Sequence, residues 1–218
     1  MMPIYEKFGY NPWPTQPPYQ NLTPAGRTVA GLKQVITHLK EESKEMLKSE
    51  LLIVEIGSEL GGSCRLFMEE FQNSNLICVD PWVDNYPLPK GWLHLKEFTE
   101  NCNGSLWDLF LSFNYEYKER IFPMKSYSLQ ALPKIFELNL SVDLLYVDGD
   151  HRYDGVYHDL VLGLCLFPNA KIIGDDYNFT SKHPKYRGMD FPVRKAVEDF
   201  CAYNNKNFQV FGNQFLID

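Results

Sequence analysis

Apolar positions in this chain recur at two periods, and the period switches repeatedly along its length. From Thr28 to Lys48, Val29, Leu32, Val35, Ile36 and Leu39 repeat at helical spacing with charges between them, which predicts an amphipathic helix. LLIVEIG at 51–57 follows as a short continuous apolar run, the pattern of a strand buried on both faces, and Gly57 ends it. The exchange then repeats with a helix near Ser63 to Phe71, the strand NLICVD at 75–80 and a helix over Leu106 to Asn114. A short strand at Ile121 to Met124, a helix near Leu129 to Leu138 and the strand VDLLYVD at 142–148 come next. A helix from Tyr153 to Leu166, the strand AKIIGDD at 170–176 and a helix from about Val193 to Asn204 complete the alternation. Strand and helix in such regular turn predict a mostly parallel sheet with right-handed crossovers and helices on both faces. The terminal FQVFGNQFLID adds two strand-like runs around Gly212 and Asn213, a hairpin signal.

Two stretches escape the alternation. Residues 1–25 carry six prolines with Tyr5, Tyr10, Trp13 and Tyr19 between them. Proline at that density forbids regular helix, while the aromatics supply apolar area that a solvated tail does not need. We expect an ordered arm that lies over its own domain or joins two copies into a homo-oligomer. Residues 81–104 are too long for an ordinary connection and read as a functional flap, with a short helix from Trp92 to Glu100 inside it. The 218 residues then divide into the arm and one domain over 26–218.

Charge and cysteine usage narrow the function. The formal net charge is -7 and no extended basic stripe interrupts the chain, which argues against nucleic acid as a partner. The N-terminus lacks a basic start followed by an apolar stretch, and no apolar run reaches membrane-spanning length, so a soluble, cytoplasmic protein with no membrane partner is expected. Five scattered cysteines without CxxC spacing read as reduced packing residues.

In an open parallel sheet, ligands bind beyond the carboxyl ends of the strands, so the strand ends carry the chemistry. The first strand ends in EIGSELGGS, where Gly57, Gly61 and Gly62 allow a tight turn and close approach of a ligand to the backbone. The dinucleotide pattern GxGxxG fails here because Glu59 replaces its second glycine. Asp80, at the end of the second strand, stands at the spacing from Gly57 suited to a carboxylate that accepts hydrogen bonds from a ribose diol. A nucleoside without pyrophosphate fits best. S-adenosylmethionine meets that description, and its cationic amino and sulfonium groups favour acidic surroundings.

Asp148, Asp150 and His151 follow the fourth strand, and Asp175 with Asp176 follows the fifth. Carboxylates gathered at one rim raise each other's pKa unless a cation neutralises them. An all-oxygen set without cysteine favours Mg²⁺, Mn²⁺ or Ca²⁺, with Mg²⁺ first because few protein ligands leave positions open for water and substrate. Such an ion lowers the pKa of a bound hydroxyl, and Asp150 or His151 could take its proton.

These residues resemble the class I S-adenosylmethionine-dependent methyltransferases, in particular the branch of macrocin O-methyltransferase and the cephalosporin hydroxylase-like proteins. The resemblance runs from about residue 51 to 205 and is carried by EIGSELGGS, VDPW at 79–82, DLLYVDGDHRYDGVYHDL, IIGDDY at 172–177 and FPVRKAVEDF at 191–200. It implies a Rossmann-like three-layer sandwich whose seven-stranded sheet ends in an antiparallel strand. It implies a cofactor set of Glu55, Gly57, Ser58, Gly61, Gly62, Ser63, Asp80, Pro81, Trp82 and Asp148, with Ser126 in a segment, Lys125 to Ser128, that contacts adenine. It further implies Asp148, Asp175 and Asp176 as metal ligands, with Asp150 as base ahead of His151.

The leading expectation is therefore metal-assisted O-methyl transfer to a hydroxylated small molecule, a sugar among the candidates. One rival keeps the nucleoside pocket without chemistry, as a binding module of a larger assembly. The other is metal-dependent phosphoryl transfer, which the missing GKS/T loop disfavours.

Overall fold

The computed structural model describes residues 4–20, 30–43, 50–83, 105–180 and 190–218. Six α-helices and seven strands are described: α1 (Ala30–Glu42), β1 (Leu52–Ile56), α2 (Gly62–Glu70), β2 (Asn75–Asp80), α3 (Leu106–Asn114), β3 (Ile121–Lys125), α4 (Ser128–Glu137), β4 (Leu144–Val147), α5 (Tyr153–Leu166), β5 (Lys171–Gly174), α6 (Pro192–Asn204), β6 (Phe208–Phe211) and β7 (Gln214–Ile217). Most of the proposed flap, with its helix from Trp92 to Glu100, lies outside the described residues, as do both ends of the helix expected over 28–48.

The strands form one sheet in the order β3-β2-β1-β4-β5-β7-β6. β1 to β5 are mutually parallel, and β7 runs antiparallel to both β5 and β6. This is the expected seven-stranded Rossmann-like architecture, with the hairpin supplying the antiparallel strand.

Strand period 2 sends alternate side chains to opposite faces. Val54, Ile56, Ile77, Val79, Leu145 and Val147 join the core under α4, α5 and α6. Ile53, Leu76, Cys78, Leu144 and Tyr146 join the second core, under α1, α2 and α3. Both faces are thus covered, which is why the strands read as unbroken apolar runs.

The arm lies on its own chain. Ile4 is buried in the α4–α6 core, Phe8 stacks on Phe122 with centroids 3.8 Å apart, and the Trp13 indole donates to the carbonyl of Ile121 at 2.8 Å. The aromatics that interrupt the prolines thereby cover β3, an edge strand, and protect it from pairing elsewhere. Among the described residues no helix is long and apolar enough to cross a membrane.

Candidate active site

Strand register sets the geometry. Ile56 pairs with Val79 and with Val147, and Val147 pairs with Gly174, so the next residues, Gly57, Asp80, Asp148 and Asp175, emerge level along one rim. The strand order reverses between β1 and β4, the switch point at which open sheets leave a crevice.

Gly57 sits at that point with φ +89, and a Cβ there would collide with the carbonyl of Asp148 and lie 2.7 Å from Cα of Gly149. Only glycine lets the two loops touch. Gly61 also has positive φ, and its close neighbour is the amide of Asn114, which donates to the carbonyls of Leu60 (3.1 Å) and Phe110 (2.9 Å). Gly62 opens α2 and is half-buried.

Glu55, expected at the cofactor, is 0% exposed and faces α2. Its carboxylate accepts from Ser63, from Ser58 at 3.2 Å and from the Cys64 thiol at 2.6 Å. Cys78 stands 3.3 Å from Cys64, sulfur to sulfur. Burial pushes the Glu55 carboxyl up, and the Ser and Cys donors pull against it. Burial also raises both thiols, so they stay protonated and act as donors rather than as passive packing. Glu55, Ser58 and Ser63 therefore brace the glycine loop from inside.

Asp80 performs a similar task from the next strand. Its carboxylate accepts the amides of Glu59 (3.0 Å) and Trp82 (2.7 Å), and burial raises its pKa in spite of them. The Trp82 indole is buried against Trp107 and Phe110 and donates to the carbonyl of Glu59 at 2.7 Å. Pro81 and Ser126 line an open cavity of about 540 Å³ with Val83, Lys125, Tyr127 and Gln130, and the amide of Ser126 donates to the carbonyl of Asp80 at 3.0 Å. A concave space thus opens beside Pro81, the residue that follows Asp80.

Two of the acidic residues, Asp148 and Asp176, come together. His151 stands between them, with Nε2 3.4 Å from Asp148 and Nδ1 3.3 Å from Asp176. Asp148, His151 and Asp176 each offer a ligand atom, all within 4.8 Å of one another. Burial pushes Asp148 up to about 7, with Asp175 and Asp176 adding to the rise and His151 opposing it. For His151, burial works downward, but the close Asp148 carboxylate and the charges of Asp176 and Asp175 prevail and raise it. The trio is short of positive charge, and its two carboxylates, as oxygen ligands, suit a hard divalent ion.

Asp175 is outside that trio. Its Oδ1 accepts the amide of Asp176 at 2.6 Å, and burial raises its pKa. Asp150 points away, its carboxylate gripped by the Arg152 guanidinium and by the Arg152 amide at 3.0 Å, at the start of α5. The loop DGDH therefore delivers His151 to the carboxylates and leaves Asp150 to organise the helix.

Sequence reasoning missed Asn213, which donates from Nδ2 to Asp176 at 2.7 Å and to Asp175 at 3.4 Å. Its only signal was the hairpin turn. Also missed were Asn114, which shapes Gly61, and Asp159, a carboxylate buried on α5.

With this geometry in hand, the relatives can be placed. Residues 54–177 match a family described as a methyltransferase domain. An uncharacterised protein of Acanthamoeba polyphaga mimivirus is 32% identical over 168 residues, which cover 76% of this chain and 68% of the relative. The fold is similar to a Staphylococcus aureus protein assigned as a caffeoyl-CoA O-methyltransferase, with TM-score 0.56 and 11% identity over 89% of this chain and 85% of the other. It is also similar to an O-methyltransferase of Bacillus cereus solved in complex with S-adenosylhomocysteine, with TM-score 0.51 and 15% identity over 89% and 82% of the two chains. At those identities the structures speak for the fold alone. The family match, spanning more than half of the sequence, and the viral relative together establish that the chain belongs to the methyltransferase-domain family.

Proposed function

We propose that this protein transfers a methyl group from S-adenosylmethionine to a hydroxyl of a small acceptor, a sugar being one candidate, with help from a divalent cation such as Mg²⁺. The observation that carries the reading is the meeting of two features at one switch point. The glycine turn at Gly57 touches the backbone of Asp148, whose side chain belongs to the cluster with His151 and Asp176. A methyl donor seated along Gly57 and Asp80 would face that cluster. The resemblance to the macrocin O-methyltransferase branch points the same way.

Asp148 and Asp176 would hold the cation, with Asp175 beside them. When bound, the ion neutralises the carboxylates and lowers the pKa of an acceptor hydroxyl, and the donor supplies an electrophilic methyl carbon. His151 is the base we favour over Asp150, because it lies inside the cluster while Asp150 is held by Arg152. A nitrogen within reach of the acceptor oxygen is a precondition for general-base work. Asp80 would accept the ribose hydroxyls, and the cavity bordered by Pro81 and Ser126 would take the adenine. Glu55, Ser58 and Ser63 would hold the glycine loop in its binding shape.

Calorimetry with S-adenosylhomocysteine, with and without Mg²⁺, tests the cofactor, and methyl gain across a hydroxylated-metabolite panel tests the transfer. We expect Asp176→Ala to abolish transfer with the fold retained. No binding of S-adenosylhomocysteine to folded protein would defeat the reading, and full activity of Asp176→Ala would remove the cation from it.

A further inference from the structure

We infer that Asn213, at the tip of the β6–β7 hairpin, is a positioning residue for the metal-binding carboxylates, turning Asp176 and Asp175 toward the cation. The inference rests on the cation reading above and deepens it.

The two ends of the Asn213 amide do different work. Oδ1 accepts the backbone amide of Asn178 at 2.9 Å, and the Asn213 carbonyl accepts that of Tyr177 at 2.9 Å, contacts that dock the hairpin on the loop leaving β5. Nδ2 instead points at carboxylates, 2.7 Å from Oδ1 of Asp176 and 3.4 Å from Oδ1 of Asp175. Because Asn213 takes Oδ1 of Asp176, the other oxygen, Oδ2, is the one that faces His151 at 3.3 Å.

A neutral amide suits this task. It donates to carboxylates that repel one another, yet adds no charge to compete with a cation. Carboxylate ligands are commonly oriented by such an outer hydrogen bond, and its loss typically weakens metal binding about 10–100-fold. Docking the hairpin needs only the acceptor end, so the donor end is free to be read as orientation of the site.

The test is titration of the purified full chain with Mn²⁺ alone, following loss of the free-ion signal by electron paramagnetic resonance. Asn213→Ala is expected to weaken Mn²⁺ binding at least about 10-fold. Gly212→Ala strains the same turn, where φ is +67, without touching the carboxylates, and should leave Mn²⁺ affinity unchanged. Should Asn213→Ala fail to fold, Asn213→Ser keeps a side-chain oxygen in the turn and is too short to bring a donor to both carboxylates. Mn²⁺ should then raise its melting temperature less than that of the wild type. Equal affinity in wild type and Asn213→Ala, an equal loss in Gly212→Ala, or equal Mn²⁺ stabilisation of wild type and Asn213→Ser overturns the inference. Wild-type protein that binds no Mn²⁺ is a distinct result, which removes the cation from the proposed function and this inference with it.

Discussion

Asp159 offers a test in which pH alone reads out burial. It lies on α5 at 4% exposure, near the Ser128 hydroxyl and the charge of Asp150. Burial pushes its carboxyl up from 3.8 to about 6, with Asp150 adding and Ser128 opposing. A carboxyl whose pKa is higher in the folded state favours folding while it is protonated. That contribution is complete below the unfolded pKa near 3.8 and lost as pH rises through about 6. The gap corresponds to roughly 3 kcal/mol at about 1.4 kcal/mol per pH unit, of which about 2 kcal/mol falls between pH 4.5 and 7.5. Asp159→Asn keeps an oxygen for Ser128 and cannot ionise. Its stability relative to wild type should therefore grow by about 2 kcal/mol across that window, roughly 4–8 °C in melting temperature for a chain of this size. Thermal melts of both proteins at the two pH values measure it, and Asp148 and Asp175 cancel because they titrate in both. A difference that stays constant with pH, or shrinks as pH rises, would mean that Asp159 is compensated as an anion and the reasoning is wrong.

Gly57→Ala should cost roughly 3 kcal/mol or more, since positive φ and a collision with the Asp148 carbonyl act together and backbone has no rotamer to escape into. A urea midpoint equal to that of the wild type would mean that the β1 and β4 loops do not touch. Trp13→Ala should cost about 3–5 kcal/mol, because the indole is 7% exposed, packs on Phe110 and Tyr115 and hydrogen-bonds Ile121. An unchanged melting temperature would mean that the arm is not part of the folded core.

The elements legible in the sequence were those set by local pattern. The strands could be read because both faces are buried, and NLICVD coincides with β2 from Asn75 to Asp80. β4 and β5 came out shorter than expected, ending at Val147 and Gly174, because the acidic residues beyond them leave the ladder to form the rim. Glu55 shows a signal that was present and not used. Ile53 shares its face by strand alternation and lies in the core under α1 to α3, so Glu55 had to point inward. Spacing could not separate Asp150 from His151, because the contact that distinguishes them is with Arg152, whose guanidinium holds Asp150 at the first turn of α5.

Asn213 was illegible for a topological reason that also explains how a residue so near the C-terminus reaches the site. In the parallel strands, functional residues come after the strand, because the rim lies at their carboxyl ends. β7 runs the other way, and Phe215 pairs with Gly174 at the very end of β5. The turn that precedes β7, Gly212 and Asn213, therefore emerges at the rim that Asp148 and Asp175 occupy. Inspecting only the residues after each strand overlooks it by construction. For an antiparallel strand added to such a sheet, the residues to inspect are those just before it, and here they include an amide whose donor end reaches both carboxylates of the β5 loop.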